Sequence, residues 1–571
     1  MEFRSSNQPG SKRWQVLPPA PDEHFAAFAG VPKLFAQLLY NRGLTDRDRL
    51  GAFLAADESL CSDPYLLPDM EQALVRLKQA IVDKEAIGVY GDFDADGTTA
   101  TALLSQGFAA LGARVIPYIP HRFDEGYSLN IAALEALKEQ GVTMVVTVDC
   151  GVSSLKEVAC ARDMGLDVII TDHHTVPAEL PTALAVVNPK RPGAAFGFAD
   201  YSGVGVAYKL LQALIRYLGE EGRVNEQEYL DLVALGTVAD IVSVLGENRY
   251  LVKQGLKVLN HTARPGLQEM VRLAGLETGG IGTSTISFAL APRLNAAGRL
   301  DHALASFRLL TTQSPEEARV LAEHLERQNA ERQRLTEEAV ARAQGMVQET
   351  DSPLLLLADA EFPAGVVGLV ASRLAEERYC PVVIVQKGEE ISRGSARSIP
   401  EFHITAALSE CKDLFIRYGG HAQAAGFSIA TENLPRLEAR LRKIAEERLA
   451  GLDRRAVQTI DVETTLSGLA GSTSKLLWRL APFGPDNPEP TFLTRGVPVL
   501  SRRTVGRGDR HLSLRLQDGY VIWKAIAFRQ GKLSQAVTPR LDIVYRVEVD
   551  DWNGSQALQL NIQDFVPASG E

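Results

Sequence analysis

The sequence of 571 residues is 45% hydrophobic and 23% charged, with a net charge of −11, and this composition and length predict roughly three to four globular domains. It contains no apolar run long enough to cross a bilayer, no apolar segment of a secretory signal, and no CxxC pair among its five cysteines, so we expect a cytoplasmic protein without a disulfide or zinc framework. The acidic balance lowers the expectation of non-specific nucleic-acid binding but leaves room for a local basic groove.

The predicted elements begin with a disordered tail over residues 1–30. From about residue 86, short apolar segments alternate with helical ones, and the first of these helices ends at Gly112. Near-continuous apolar strands separated by helices are typical of a parallel sheet covered on both faces. We therefore predict an α/β domain over residues 31–312, with strands in the segments AIGVYG, VTMVVTVDCG, LDVIITDHH and ALAVVNP.

The later elements predict a second α/β domain and a small β domain. Residues 313–350 carry charges throughout and begin near a Ser-x-x-Glu cap, which predicts one long, largely solvated connecting helix. Segments such as PVVIVQ and GVVGLVASRLAEER predict a smaller α/β domain over residues 351–450. Short alternating segments such as LSLRLQ and DIVYRVEVDDW predict an all-β domain over residues 457–571.

Candidate metal ligands follow three of the predicted strands and one helix. In an open α/β sheet, ligands bind outside the carboxyl ends of the strands. An Asp in such a position is more often a helix cap or a turn residue, and a single His is usually an ordinary core or surface residue. Several Asp and His residues that converge on one sheet edge favour a metal site over these ordinary roles. The candidates are Asp94, Asp96, Asp149, Asp172, His173, His174 and Asp240.

The residue types in this cluster indicate the metal and the chemistry. Carboxylates with one or two imidazoles suit Mn²⁺ or Mg²⁺, and Mn²⁺ is better matched to the nitrogen. Four or more carboxylates can hold two cations, an arrangement that supports in-line phosphoryl displacement. The sequence has neither a G-x-x-x-x-G-K nor a G-x-S-x-G motif, so a P-loop nucleotidase and a serine hydrolase are not indicated.

Seven motifs carry a family resemblance. The segments DFDADG, VDCG, TDHH and LGTVAD, in that order, resemble the four motifs of the DHH phosphoesterase superfamily. Further on, APRLNAAGRL (291–300), GSARS (394–398) and RYGGHAQAAGF (417–427) resemble its branch of bacterial single-strand-specific 5′→3′ exonucleases, and the last contains the Gly-Gly-His signature of a DHHA1 domain. The resemblance runs from about residue 30 to the C-terminus. It implies a parallel-sheet DHH domain, a long helix, a smaller α/β DHHA1 domain and a C-terminal OB-like β-barrel.

The resemblance also implies roles for the clustered residues. His174 is expected beside the metal ligands as a further ligand or a stabiliser of the transition state, and Asp92 is expected to support the ligands without binding metal. Some relatives have a His ligand at the position of Tyr90, for which a phenol is a poor substitute. The implied metal ligands are Asp94, Asp96, Asp149, His173 and Asp240, and the implied catalytic set adds His174 to them.

Basic and glycine-rich motifs predict how DNA is held. Arginine gives bidentate contacts to phosphate, whereas the ordinary alternative is pairing with surface carboxylates. The phosphate-binding candidates implied by the resemblance are Arg122, Arg293, Arg299, Ser395, Arg397, Gly419, Gly420 and His421. In the β domain, the basic run is formed by Arg502, Arg503, Arg507 and Arg510. Possible stacking residues, which could equally be core residues, are Trp523, Phe528 and Trp552.

These observations favour a metal-dependent 5′→3′ exonuclease that degrades single-stranded DNA to 5′-mononucleotides in DNA repair and recombination. We expect a monomer with two Mn²⁺ or Mg²⁺ ions, and the family implies a RecQ-type helicase and a single-strand-binding protein as partners. A DHH phosphatase for pyrophosphate, cyclic dinucleotides or short oligoribonucleotides is one alternative, which the extra β domain disfavours. A metal-free DNA-binding relative is another, which the complete carboxylate set disfavours.

Overall fold

The structure, a computed structural model, describes residues 12–122, 124–194, 196–347, 352–469, 471–550 and 557–568. None of the helices in these ranges is long and apolar enough to span a membrane. The strands are β1 Arg13–Val16, β2 Ala86–Tyr90, β3 Arg114–Tyr118, β4 Val142–Val148, β5 Asp167–Thr171, β6 Ala185–Val187, β7 Leu355–Asp359, β8 Val382–Gln386, β9 Ile391–Arg397, β10 Phe415–Gly420, β11 Ala424–Ala430, β12 Val457–Ile460, β13 Val462–Glu463, β14 Phe492–Val505, β15 His511–Asp518, β16 Val521–Ala527, β17 Arg540–Asp550 and β18 Ala557–Pro567. The helices are α1 Asp22–Ala27, α2 Lys33–Asn41, α3 Arg47–Ala55, α4 Met70–Val82, α5 Ala95–Ala110, α6 Ile131–Glu139, α7 Leu155–Asp163, α8 Gly203–Leu218, α9 Leu230–Ala239, α10 Gly246–Leu259, α11 Pro265–Leu273, α12 Thr283–Thr285, α13 Ala291–Leu300, α14 Leu304–Thr311, α15 Pro315–Met346, α16 Val367–Arg378, α17 Ile404–Ser409, α18 Leu434–Leu449 and α19 Ser472–Leu477.

The chain divides into two compact units. The parallel-sheet unit consists of residues 48–332 and 480–488, and the three-sheet unit consists of residues 1–47, 333–479 and 489–571. The predicted long helix is present as α15, a single helix of 32 residues. The domain boundaries predicted from the sequence remain a prediction.

The parallel-sheet unit is built on a five-stranded sheet in the order β3-β2-β4-β5-β6, and every neighbouring pair is parallel. Strands β2 and β4 are almost wholly buried, as expected for strands covered on both faces. One apolar cluster joins the sheet to α5, α8 and α9, and a second joins the opposite face to α6 and α7. The predicted α/β fold with a parallel sheet is therefore confirmed. The edge strand β3 was not predicted, because its Pro117 breaks the apolar pattern; a proline is tolerated at a sheet edge.

The three-sheet unit contains the smaller α/β domain and the β domain. A five-stranded sheet in the order β10-β11-β9-β8-β7 packs against α16 on one side and α17 and α18 on the other. In the β domain, β14 pairs with both β15 and β17, and the ladder continues through β16 and β18. These pairings close a five-stranded barrel, with β13 added beside β14. The predicted OB-like barrel is confirmed.

The prediction of a disordered tail over residues 1–30 is wrong for residues 12–30, and residues 1–11 lie outside the described residues. Strand β1 pairs in parallel with β12, and the indole of Trp14 donates a hydrogen bond of 2.8 Å to Asp564. Trp14 also packs against a small apolar cluster that includes Ile460. These partners are more than 440 residues away in the chain, so no local sequence pattern could indicate that this segment is ordered.

Candidate metal centre

The predicted ligands come together at the carboxyl ends of the parallel strands. The segment after β2 carries Asp92, Asp94 and Asp96, β4 is followed by Asp149, and β5 is followed by Asp172, His173 and His174. Asp240 arrives separately, as the residue that ends α9. This arrangement follows the general rule that ligands bind outside the carboxyl ends of the strands in an open α/β sheet.

Two aspartates are held by the beginnings of helices. Asp94 caps α5, because its carboxylate accepts hydrogen bonds from the backbone N–H groups of Asp96 (3.0 Å) and Gly97 (3.1 Å). The carboxylate of Asp96 accepts hydrogen bonds from Gly203 (2.6 Å) and Val204 (2.9 Å) at the start of α8. Helix N-termini stabilise negative charge, so these contacts fix both side chains and offset part of the repulsion between them.

His173 lies between two further carboxylates. Its Nε2 atom is 3.0 Å from Asp149 Oδ1 and 3.6 Å from Asp240 Oδ2. Asp149 has a left-handed backbone with φ 61°, a conformation that Asp tolerates better than most residues. The backbone places its carboxylate at the strand end, where it is buried beside the imidazole.

Several buried atoms in this cluster make no hydrogen bond within the part of the chain that the structure describes. They are Asp92 Oδ1, Asp149 Oδ1 and both ring nitrogens of His173. Buried polar atoms without partners are costly and therefore rare in folded proteins. Asp149 Oδ1 and His173 Nε2 are close together without the angles of a hydrogen bond, which is how two ligands of one cation are placed.

The ligand atoms form three overlapping groups, each compact enough to bind one cation. Within each group the candidate atoms lie within 4.8 Å of one another. Oxygen ligands with one imidazole match the preference of Mn²⁺, and oxygen ligands alone match Mg²⁺. The residues present therefore fit a pair of divalent cations. The three groups are Asp92 with Asp94 and Asp149, Asp96 with His173 and Asp240, and Asp149 with His173 and His174.

Without cations, most of the clustered carboxylates have raised pKa values, because burial and mutual repulsion disfavour their charged forms. Burial, reinforced by neighbouring carboxylates, raises the pKa of Asp96 to about 7 and that of Asp240 to about 9. The same causes raise the pKa values of Asp92 and Asp149 well above the ordinary value. Burial and the adjacent His174 lower the pKa of His173 to about 3, so its imidazole is neutral and able to bind metal.

Asp172 and His174 form a separate hydrogen-bonded pair. Asp172 Oδ1 lies 2.7 Å from His174 Nδ1, and it also accepts a hydrogen bond from the His174 backbone N–H. Burial opposes the charge of Asp172, but these bonds outweigh it and hold its pKa below the ordinary value. Because Val152 donates to the other oxygen of Asp172, this carboxylate orients His174 rather than lying open to a cation. The hydroxyl of Tyr127 lies 3.1 Å from His174 Nε2.

Tyr90 does not occupy a ligand position. Its hydroxyl donates a hydrogen bond of 3.0 Å to the Ser128 carbonyl and accepts one of 3.1 Å from Asn130. The ring is fully buried and stacks on Tyr118. Asp92, two residues further on, instead places its oxygen among the ligand atoms. This position differs from the supporting role predicted for Asp92.

Two residues of α13 that the sequence analysis did not single out support the metal motif. Asn295 Oδ1 accepts a hydrogen bond of 2.7 Å from the backbone N–H of Ala95. Gly298 lies so close to the motif that a Cβ atom there would be 2.5 Å from the Phe93 carbonyl oxygen. The motif APRLNAAGRL contains both residues, but only the fold shows that they contact the DFDADG segment.

Comparisons with known proteins agree with this architecture. The models of the DHH family N-terminal domain, the DHHA1 domain and the RecJ OB domain match residues 86–237, 351–447 and 460–564. The single-stranded-DNA-specific exonuclease RecJ of Bacillus subtilis is 36% identical over 560 residues, which cover 97% of this chain and 70% of that protein. The chain belongs to the RecJ family. The RecJ proteins of Thermus thermophilus (36% identity, 97% of this chain and 78% of that protein) and Escherichia coli (33% identity, 94% and 96%) are similarly related.

Solved RecJ structures share the fold and contain metal. The crystal structure of RecJ from Thermus thermophilus in complex with Mn²⁺ has a TM-score of 0.83 at 33% identity and covers 98% of this chain and 80% of that chain. The corresponding Mg²⁺ complex has a TM-score of 0.78 at 32% identity and covers 98% and 79%. The family resemblance inferred from the motifs is confirmed.

The arginines predicted to bind phosphate in the parallel-sheet unit have different surroundings. The Arg122 guanidinium lies 4.8 Å from the ring centroid of Phe93. Burial lowers the pKa of Arg122, while Asp92 and Asp94 oppose that shift, so this cation lies near the carboxylates of the metal centre. Arg293 instead forms an ion pair with Glu326 at 2.5 Å, which is the ordinary alternative for an arginine. Arg299, in the last turn of α13, is half-buried.

The predicted phosphate residues of the RecJ-type DHHA1 domain lie beside a helix N-terminus. Arg397 Nη1 donates a hydrogen bond of 3.1 Å to Ser395 Oγ, and both residues lie on β9. A Cβ atom on Gly368, near the start of α16, would lie 3.2 Å from each of these two side chains. A guanidinium, a hydroxyl and the N-terminus of a helix are a combination suited to a phosphate group.

The Gly-Gly-His motif forms the turn of a tight hairpin between β10 and β11. Gly420 has φ 144°, and a Cβ atom there would lie 2.3 Å from the Ala424 carbonyl oxygen, so the turn requires glycine. Gly419 pairs with Gly426 in the ladder, and His421 is exposed. An exposed imidazole at this turn is available to a ligand.

In the barrel, the candidate DNA contacts separate into core and surface residues. Trp523 is buried and belongs to the core, whereas Phe528 is 48% exposed and contacts His511 edge-on. Trp552 lies outside the described residues. Arg502 donates hydrogen bonds to two backbone carbonyls of the barrel domain. The other three arginines of the basic run are exposed: Arg503, Arg507 and Arg510.

Proposed function

We propose that this chain is a metal-dependent exonuclease that hydrolyses single-stranded DNA, the activity that gives its relatives their name. The observation that supports this function most directly is the group of buried, unpartnered ligand atoms at the strand ends. These atoms belong to the residues that the DHH motifs single out. A protein of this family that had lost its metals would not need to keep them buried without hydrogen bonds.

The residues of the metal centre would have distinct roles in binding the cations and the phosphate. Two bound Mn²⁺ or Mg²⁺ ions would supply a strong nucleophile from water at neutral pH and stabilise negative charge on the phosphate. Asp94, Asp96, Asp149, His173 and Asp240 would hold the ions. Asp92 would complete the ligand set, because the hydroxyl of Tyr90 is already hydrogen-bonded to Ser128 and Asn130. His174, oriented by Asp172, would hydrogen-bond to a phosphate oxygen of the substrate.

We propose that the chain acts in the 5′→3′ direction and releases 5′-mononucleotides. Ser395 and Arg397, together with the start of α16, would bind a terminal 5′-phosphate, and Arg122 would contact a phosphate beside the metals. The exposed arginines of the barrel would also contact the phosphate backbone, and His421 would contact a scissile or neighbouring phosphate. Such contacts to the backbone carry no sequence information, as expected for a nuclease that degrades any single strand.

The wider context is also a proposal. We propose that the protein works as a cytoplasmic monomer in DNA repair and recombination, with a helicase of the RecQ type to unwind the duplex. A single-strand-binding protein would present the displaced strand.

The test uses single strands labelled at either end. We expect the full-length protein to release labelled mononucleotide first from the 5′-labelled strand in Mn²⁺, and to release none in EDTA. Asp149→Asn should abolish hydrolysis while the protein stays folded, because Asn tolerates the left-handed backbone that Ala would strain. Asp486→Asn is a matched control, since Asp486 is an exposed aspartate with φ 60°. Hydrolysis by the folded Asp149→Asn protein at the wild-type rate would refute the proposed site.

A further inference from the structure

Ile241, the residue directly after Asp240, has a conformation and an exposure that are unusual for isoleucine. Its backbone is left-handed, with φ 61°, and its side chain is 73% exposed. A β-branched residue in this region is a conformational outlier, because its Cβ substituents crowd the backbone. An exposed apolar side chain gains little from the fold to offset this strain.

The loop that carries Ile241 is anchored within the parallel-sheet unit directly after this residue. The Asn248 amide donates a hydrogen bond of 2.8 Å to the Ser243 carbonyl. The backbone N–H of the buried Val244 donates one of 3.2 Å to Pro485, in the segment 480–488. A strained residue persists only where its surroundings support the conformation, and these contacts hold the backbone two and three residues after Ile241.

The segment 480–488 is itself held by a buried cation. Arg249 is 1% exposed, and its guanidinium donates hydrogen bonds to the carbonyls of Leu480 (3.0 Å) and Ala481 (2.7 Å). The same guanidinium lies 3.5 Å from the ring centroid of Phe53. The loop after α9 is therefore anchored to a segment that a buried arginine holds in place.

Neither packing nor the turn explains why the residue is isoleucine. A side chain that is mostly exposed is not a core residue, and Gly or Asn would form the same left-handed turn with less strain. Ile241 lies beside the metal centre, since consecutive Cα atoms are about 3.8 Å apart and Asp240 is one of the clustered carboxylates. Strain of this kind is concentrated at functional sites.

We propose that Ile241 is a substrate-contact residue, whose side chain packs against the nucleobase next to the phosphate that is cleaved. This inference rests on the proposed function. The charged groups around the metals suit the phosphate, but none of them offers an apolar surface to the base. A branched aliphatic side chain at the rim supplies that surface, and it does so without preference for sequence because every base has an apolar face.

The experiment compares Ile241→Gly and Ile241→Asn with wild type and with Lys84→Gly. Lys84 is a suitable control because it also has a left-handed backbone (φ 57°) and is exposed, but it precedes β2 and so lies at the opposite edge of the sheet from the metal centre. For each protein we would measure the melting temperature, Mn²⁺ affinity without DNA, and KM and kcat on single strands. The strands would be intact or lack one base near the 5′ end.

We expect both Ile241 variants to melt at the wild-type temperature or slightly above it and to bind Mn²⁺ normally. Their KM for intact strands should rise about three- to tenfold, as expected for the partial burial of an isoleucine side chain. On strands that lack the contacted base, the variants and the wild type should have the same KM. Lys84→Gly should leave KM unchanged.

Two results would overturn the inference. Wild-type KM values for both Ile241 variants would show that the side chain does not contact DNA, while hydrolysis by the wild type would leave the proposed function intact. If the Ile241 variants melt at a lower temperature, and their KM rises equally on intact strands and on strands that lack one base, Ile241 has a structural role only. The wild-type protein is assayed before any variant. If it hydrolyses no single-stranded DNA, the proposed function itself fails.

Discussion

The contact between α13 and the metal motif allows a test of how the site is positioned. In Gly298→Ala, the new Cβ atom would lie 2.5 Å from the Phe93 carbonyl oxygen, which is 0.9 Å closer than an ordinary contact of 3.4 Å. The neighbouring atom is backbone and cannot rotate away, so α13 must move. That movement would disturb the hydrogen bond from Ala95 to Asn295, in the segment that holds the first ligands.

We expect two effects of Gly298→Ala, each with its own measurement. Overpacking of this kind costs about 1–3 kcal/mol, which denaturant unfolding of the metal-free protein would detect. Displacement of a group that orients metal ligands typically weakens metal binding by about 10–100-fold, which titration with Mn²⁺ followed by electron paramagnetic resonance would measure. Hydrolysis at saturating Mn²⁺ should recover at least in part, because the ligands themselves are unchanged.

Gly51→Ala is the matched control. Gly51 lies within α3 of the same unit, has no heavy atom within 4 Å of an added Cβ atom and has no left-handed backbone. The substitution there should increase the free energy of unfolding by about 0.5–1 kcal/mol, because Ala loses less entropy than Gly in a helix. If Gly298→Ala matched this control in both stability and Mn²⁺ affinity, α13 would have no part in positioning the ligands.

Three further predictions concern protons, the 5′ end and salt. Burial raises the pKa of Asp240 to about 9, so the folded metal-free protein keeps a proton that the unfolded chain loses near pH 4. The free energy of unfolding of the metal-free protein should therefore fall as the pH rises from about 4 to about 9. Saturating Mn²⁺ should remove most of this pH dependence, which thermal melts would measure. Arg397→Ala should reduce the preference for 5′-phosphorylated over 5′-hydroxyl ends by roughly ten- to a hundredfold, since a charge-assisted contact is worth about 1.5–3 kcal/mol. An unchanged preference in competition assays would exclude Arg397 from end binding. Replacing Arg503, Arg507 and Arg510 by Gln should lower the salt slope of single-strand binding by up to about 2, because each phosphate contact accounts for about 0.7, and an unchanged slope would place the DNA contacts elsewhere.

The fold could be predicted from the sequence wherever local pattern and tertiary environment agree. Strands β2, β4, β5 and β6 are apolar because both faces of the sheet are covered, and their sequences show it directly. Strand β3 was missed because an edge strand tolerates Pro117 and an exposed Arg114, which hide the pattern. The ordered segment 12–30 was missed for a different reason: its partners lie at the other end of the sequence.

The candidate site was predictable in its members but not in its orientations. Because the ends of parallel strands meet, the motifs alone indicated that the carboxylates and His173 converge. The motifs could not show that the hydroxyl of Tyr90 is committed to Ser128 and Asn130, or that Asp92 has an oxygen among the ligand atoms. Nor could they show that Arg293 pairs with Glu326, because the choice between phosphate and carboxylate as a partner depends on geometry.

The distribution of hydrogen-bond donors explains how one cluster can be both rigid and open to metal. Asp94, Asp96 and Asp172 each accept backbone N–H groups, which fix these side chains and offset part of their charge. Asp149 Oδ1 and the ring of His173 receive no such donors in the described part of the chain, although both are buried. Water cannot easily solvate these atoms and the protein does not, so a cation is the partner that completes them. Metal binding should therefore contribute directly to the stability of the sheet edge that carries the site.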